Sequence, residues 1–181
     1  MLVSNDEKII EKAKFWSTQS KDPARHYQHS EIGYNYRMSN VLAGIGRGQM
    51  LVLEERISKK REIYNTYKNA FKEIQDIEMM DEKSDERSNR WLSTITLKQN
   101  SKVTPLDIIE ALEKENIESR PVWKPMHMQP VFEKYDFISS NENGISIGED
   151  LFNRGVCLPS DTKMTEEDLD RISHIILNLF K

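Results

Sequence analysis

The sequence predicts an α+β fold: a small C-terminal sheet with packed helices, preceded by a long helical arm. Three observations lead to it. Apolar side chains recur at helical spacing from Ser39 to about Phe71, short β-rich runs alternate with capped helices from Trp91 onward, and 181 residues with 37% hydrophobic content suit one modest core. The arm and a loop inside it are assigned to residues 1–75, the small α/β region to residues 76–181.

In chain order, Asn5 or Asp6 caps a first helix over Glu7 to Trp16, with Ile9, Ile10, Ala13 and Trp16 along one face. The stretch 20–37 mixes Pro, Gly, two His and three Tyr without a period, and a polar loop dense in aromatics is a natural place for function. The long helix follows, with its apolar stripe at Leu42, Ile45, Leu53, Ile57, Tyr64, Tyr67 and Phe71. About 30 helical residues would span about 45 Å, longer than a small domain is wide. Gly44, Gly46 and Gly48 each cost such a helix about 1 kcal/mol relative to Ala, so either another backbone approaches them closely or the helix is simply weak there.

An acidic connector spans residues 76–89, and the run from Trp91 to Leu97 reads as a strand with Trp91, Ile95 and Leu97 on one side. Thr104, Pro105 and Asp107 open a helix to about Glu115 as cap, first helical residue and capping-box partner. A second strand is expected over Glu118 to Val122, a short helix near Val131 to Tyr135, and a third strand over Val156 to Leu158. Thr165 and Asp168 open the last helix, whose buried stripe is Leu169, Ile172, Ile176 and Leu179.

Composition excludes several functions. A net charge of −4 gives little attraction to a phosphate backbone, so nucleic acid is not an expected partner. No run approaches the roughly 18 apolar residues of a membrane span, and the first ten residues lack a signal peptide's basic flank, so no membrane partner and a cytoplasmic location are expected. The single cysteine, Cys157, sits in an apolar run and reads as a small buried hydrophobe. His26, His29 and Glu31 match no metalloenzyme spacing, so no metal is expected. The loop 119–130 is more suggestive. Arg120, Trp123, Lys124 and His127 suit an anionic, ring-bearing ligand, because cations hold phosphate while an indole covers a flat face; a solvated loop anchored by Trp123 is the alternative.

Residues 33–43, GYNYRMSNVLA, resemble the GYNYRMS segment of the DegT/DnrJ/EryC1/StrS family of pyridoxal-phosphate-dependent sugar aminotransferases. MLVSNDEKIIEKAK resembles the strand and helix that follow that family's cofactor-lysine segment, RPVWKPMHMQP its C-terminal sugar-nucleotide loop, and VCLPSDTKMTEEDLDRI its closing strand and helix. Four motifs in order cover nearly the whole chain.

The resemblance implies the C-terminal half of a fold-type-I aminotransferase. Such an enzyme passes an amino group from glutamate to a 4-keto nucleotide sugar by way of pyridoxamine phosphate, serving cell-surface polysaccharide or glycan assembly. The family's lysine, the acid facing the pyridine nitrogen and the phosphate-binding turn all lie upstream of the matched segments. No catalytic residue is therefore assigned here, and the isolated chain is expected neither to hold pyridoxal phosphate nor to transaminate. By matching position, Asn35 corresponds to the residue that reaches the cofactor phosphate across the dimer, with Arg37 beside it as a second cofactor-side residue. Tyr34, Arg120, Trp123, Lys124 and His127 fall on the substrate side. A homodimer or self-association is implied. Two other readings stay open: a free-standing α+β protein–protein interaction domain without catalysis, and a sugar-nucleotide binding domain without chemistry.

Overall fold

A computed structural model of the chain describes residues 2–139 and 146–181. Two compact units make it up, residues 1–52 and 53–181.

In the first unit, helix α1 (Glu7–Ser17) starts where Asp6 accepts from the N–H of Lys8 at 2.9 Å. It ends on a sharp turn, with Gln19 and Ser20 at φ of 69° and 49°. Helix α2 (Asn40–Met50) is capped by Ser39, which accepts from Leu42 N–H at 3.3 Å. Residues 2–6 form no strand. No side chain of either helix is buried, and Leu42 and Ile45 are exposed.

The long helix expected from Ser39 to Phe71 is interrupted. Leu51 and Val52 donate three residues back, to Gly48 and Gln49, and α3 (Leu53–Phe71) begins after them. The break follows the stretch weakened by three glycines, which together cost about 3 kcal/mol relative to Ala. Nothing lies within 4 Å of where a Cβ would sit on Gly44, Gly46 or Gly48, so among the described residues no backbone approaches them. The compact units meet at 52/53, and Ile63, Tyr67 and Phe71 of α3 are buried in one core with the sheet.

The second unit is a four-stranded antiparallel sheet in the order β1-β2-β4-β3, built from β1 (Ile77–Glu78), β2 (Ser93–Leu97), β3 (Arg120–Pro121) and β4 (Gly155–Leu158). Between them lie α4 (Pro105–Lys114) and α5 (Ile147–Arg154), and α6 (Glu166–Asn178) closes the chain. Both expected capping boxes form, Thr104 with Asp107 and Thr165 with Asp168. The core joins Ile63, Tyr67 and Phe71 of α3, Ile95 and Leu97 of β2, Ile108 and Leu112 of α4, Val156 and Leu158 of β4, and Leu169, Ile172 and Ile176 of α6, with Leu179 packed at its margin. Helix α5 and strand β1 were not anticipated. Where a short helix is expected near Val131 to Tyr135 there is one 3-10 turn, Pro130–Phe132, and another precedes it at Met126–Met128.

Strand alternation sends Val156 and Leu158 into this core and Cys157 to the other face of the sheet. Gly155 is required next to it: a Cβ there would meet Val122 Cγ2 at 2.4 Å and the Leu151 carbonyl at 2.6 Å.

Candidate functional site

The two segments singled out in the sequence lie in different units. In the first unit, the GYNYR stretch of the loop after α1 is laced to the end of that helix by main-chain bonds. Tyr34 N–H donates to Trp16 O at 2.7 Å, Gln19 N–H to Tyr34 O at 3.0 Å, and Tyr36 N–H to Ser17 O at 3.1 Å, with Asn35 bridged to Thr18. Ser20 is fully buried beneath it and donates to Ile32 O at 3.2 Å. Gly33 is the tight point: a Cβ there would sit 2.2 Å from Gln19 C and 2.3 Å from Ser20 N. The backbone so fixed displays its side chains outward. Tyr34 and Tyr36 stack with ring centroids 5.0 Å apart. The amide of Asn35 and the guanidinium of Arg37 make no side-chain hydrogen bond or ion pair among the described residues.

Histidines and acids of the same loop serve its shape. His29 Nδ1 lies 2.8 Å from Gln19 O, and His26 pairs with Gln28 at 3.2 Å. Glu31 accepts from Lys12 and from the Trp16 indole N–H at 2.7 Å, and these bonds hold its carboxyl below the usual carboxylate range.

In the second unit, a cavity of about 640 Å³ opens on the face of the sheet that carries Cys157. Arg120, Trp123 and Lys124 of the 119–130 loop line it together, against Val122, Phe152, Leu158 and Pro159. That volume lies within the range of small-molecule sites, roughly 300–1,000 Å³. Lys124 has no ion pair among the described residues, whereas Arg120 is held by Glu118, with Nε to Oε1 at 2.8 Å. Burial pushes the Cys157 thiol up, away from the thiolate a nucleophile needs. His127 is not in this cavity. It stacks on Phe137 at 3.8 Å and borders a separate hollow with Met126, Phe132 and Tyr135, with Nε2 4.0 Å from Glu149.

The family model for DegT/DnrJ/EryC1/StrS aminotransferases matches residues 1–177. The chain belongs to that family. EpsN of Bacillus subtilis (strain 168), provisionally named a pyridoxal phosphate-dependent aminotransferase, is 51% identical over 180 residues, covering 99% of this chain and 46% of that protein. GDP-perosamine synthase of Escherichia coli O157:H7 is 32% identical over 170 residues, 93% of this chain and 44% of that one. Among solved structures, Helicobacter pylori PseC, an aminotransferase involved in the biosynthesis of pseudoaminic acid, superposes with a TM-score of 0.81 at 22% identity, over 98% of this chain and 47% of that one. The chain thus spans just under half the length of the relatives it matches, and it shares their fold over that half.

Full-length sugar aminotransferases of this family use pyridoxal phosphate. What this chain offers such a group is a pair of uncommitted donors, the Asn35 amide and the Arg37 guanidinium, both suited to phosphate oxygens. Sequence reasoning missed one cavity residue of note, Trp91, which stacks on Trp123 with centroids 5.6 Å apart. The strand expected to start at Trp91 with Trp91 beside Ile95 and Leu97 starts instead at Ser93, leaving Trp91 exposed ahead of it, and no local pattern reports a pairing with a residue 32 positions away. No group of three or more metal-ligating side chains occurs among the described residues, and none of the described helices is long and apolar enough to cross a membrane.

Proposed function

We propose that this chain supplies the C-terminal half of a nucleotide-sugar aminotransferase that moves an amino group from glutamate to a 4-keto nucleotide sugar for cell-surface polysaccharide. Asn35 and Arg37 donate to the cofactor phosphate, with Asn35 reaching into the neighbouring subunit of a homodimer. Arg120, Trp123 and Lys124, which line the second-unit cavity together, hold the nucleotide sugar. Pyridoxal phosphate, when bound, carries the amino group between donor and acceptor. The chain's own residues bind and orient: cations take diphosphate charge, and Trp123 covers an apolar face. In this reading the loop of the first unit faces the cofactor and the cavity of the second faces the substrate.

The observation that carries this reading is the cavity, where an indole wall and a Lys124 ammonium with no ion pair among the described residues occur together in a chain of the sugar aminotransferase family. Relatives support the substrate class, since several are named GDP-perosamine synthase. The test is reconstitution in the cytoplasm of a bacterial host: the chain is coexpressed with the lysine-bearing N-terminal half of EpsN, and glutamate-dependent amination of 4-keto GDP- and UDP-sugars is followed. Activity is expected from the pair and from neither half alone. Amination by this chain alone, or a pair that accepts only free keto acids, would overturn the reading.

A further inference from the structure

Trp91 stands two residues before β2, is 62% exposed, and is nevertheless fixed. Its N–H donates to Asn89 Oδ1 at 3.0 Å, and the preceding Arg90 takes a φ of 47°. The Arg90 guanidinium lies over the Tyr64 ring at 3.7 Å and donates to Met80 O at 2.8 Å. Upstream, Arg61 grips both Glu82 oxygens at 2.8 Å and the Ser88 carbonyl at 2.6 Å. The segment leading to Trp91 is therefore strapped to α3 before the indole reaches the cavity. There it stacks on Trp123, itself 60% exposed, with planes 24° apart. Packing alone does not account for two wet indoles held face to face at the mouth of a 640 Å³ cavity whose one unpaired cation is Lys124 among the described residues.

We propose that Trp91 is a specificity-determining residue of this site: with Trp123 it forms a stacking platform for the nucleobase of the nucleotide sugar, while Lys124 takes diphosphate charge. This rests on the nucleotide-sugar reading above and deepens it. Every nucleobase has a π-face, so the platform separates a nucleoside diphosphate from a bare diphosphate or a sugar phosphate without choosing strictly among bases. Truncating one stacking aromatic typically weakens binding roughly 5- to 150-fold.

All the lining residues lie in the second unit, so the 181-residue chain can be titrated directly with GDP, UDP and inorganic pyrophosphate, by calorimetry and by quenching of tryptophan fluorescence. GDP and UDP are expected to bind more tightly than pyrophosphate and to quench. Trp91→Leu should weaken both nucleotides roughly 5- to 150-fold while leaving pyrophosphate unchanged. Trp91→Phe should keep part of the preference. Lys124→Gln should weaken all three probes. Because Trp91 is exposed, the variants should keep their fold, which circular dichroism checks. If both Trp91 variants bind GDP and UDP as the parent does while Lys124→Gln still weakens them, the platform is wrong and the nucleotide-sugar reading stands. If the parent chain binds none of the three probes, both fall.

Discussion

The two units solve the problem of holding a loop in place by different means. In residues 53–181 the candidate cavity rests on a sheet whose other face is sealed by α3, α4 and α6, and twelve buried side chains form one core. In residues 1–52 both helices lack a buried side chain, Ser20 is the one buried residue among those described, and the GYNYR loop is fixed by peptide N–H and C=O groups. Apolar burial supplies stability at about 25 cal/mol per Å² removed from water, whereas a main-chain hydrogen bond contributes net only about 0.5–1.5 kcal/mol. The second unit is built to be stable and the first to be shaped, with its apolar side chains left over for a neighbour.

The largest expected effect sharpens that contrast. Leu112→Ala empties a fully buried site in the core and should cost about 2–5 kcal/mol, while Ile45→Ala, at a side chain 57% exposed, should cost less than about 0.5 kcal/mol. Chemical denaturation monitored by circular dichroism reads both, and comparable losses would break the distinction. Next is Asn35→Ala in a full-length family member carrying this C-terminal half. Removing one hydrogen bond to a charged group, worth about 1.5–3 kcal/mol, should lower cofactor affinity roughly ten- to a hundredfold with the unfolding midpoint unchanged. Equilibrium titration of the cofactor measures it.

Gly33→Ala probes how the first unit is shaped. Its Cβ would collide with the backbone at Gln19 and Ser20, so the loop must move, at about 1–3 kcal/mol. Hydrogen exchange should quicken at the Tyr34 and Tyr36 amides and stay unchanged at Ile95 and Leu158. A smaller effect concerns acid. Glu82 is drawn down to about 2 from an ordinary 4.5, first by its bond to Arg61 and then by the Ser88 N–H. A depressed carboxyl contributes stability above its unfolded value and loses it as pH falls toward the folded one. The second unit should therefore weaken between about pH 4.5 and 2, and Glu82→Gln should flatten part of that slope in acid titrations. The smallest is association: with Trp16, Ile45 and Leu53 all exposed, the isolated chain should show a concentration-dependent mass by light scattering that Ile45→Ser reduces. A strict monomer at high concentration would mean this surface is tolerated bare.

What the sequence disclosed follows the range of the interaction involved. The capping boxes at Thr104 and Thr165 were legible because cap and partner lie three residues apart, and both form. Helix α5 carries the same kind of signal, with Ser146 accepting from Glu149 N–H, but a lone cap within a polar stretch does not distinguish a helix from a turn. Strand β1 has two residues and owes its existence to Leu97 and Thr96 across the ladder, so no local pattern could announce it. The break between α2 and α3 is hidden in the sequence because the apolar spacing carries across Leu51 and Val52. At the site, the motifs gave Asn35, Arg120, Trp123 and Lys124 their places on two loops, yet only the fold separates His127 from the cavity and brings Trp91 to it.

The main-chain lacing of the GYNYR loop has a consequence for how such a chain can drift. A loop that keeps its course through peptide groups, with Gly33 as its fixed point, leaves the identity of the displayed side chains free of the demands of folding. Tyr34, Asn35, Tyr36 and Arg37 can then be exchanged one at a time by mutation without forfeiting the shape that presents them. A saturation library over these four positions should return mostly folded protein, and the tolerance should stop abruptly at residue 33.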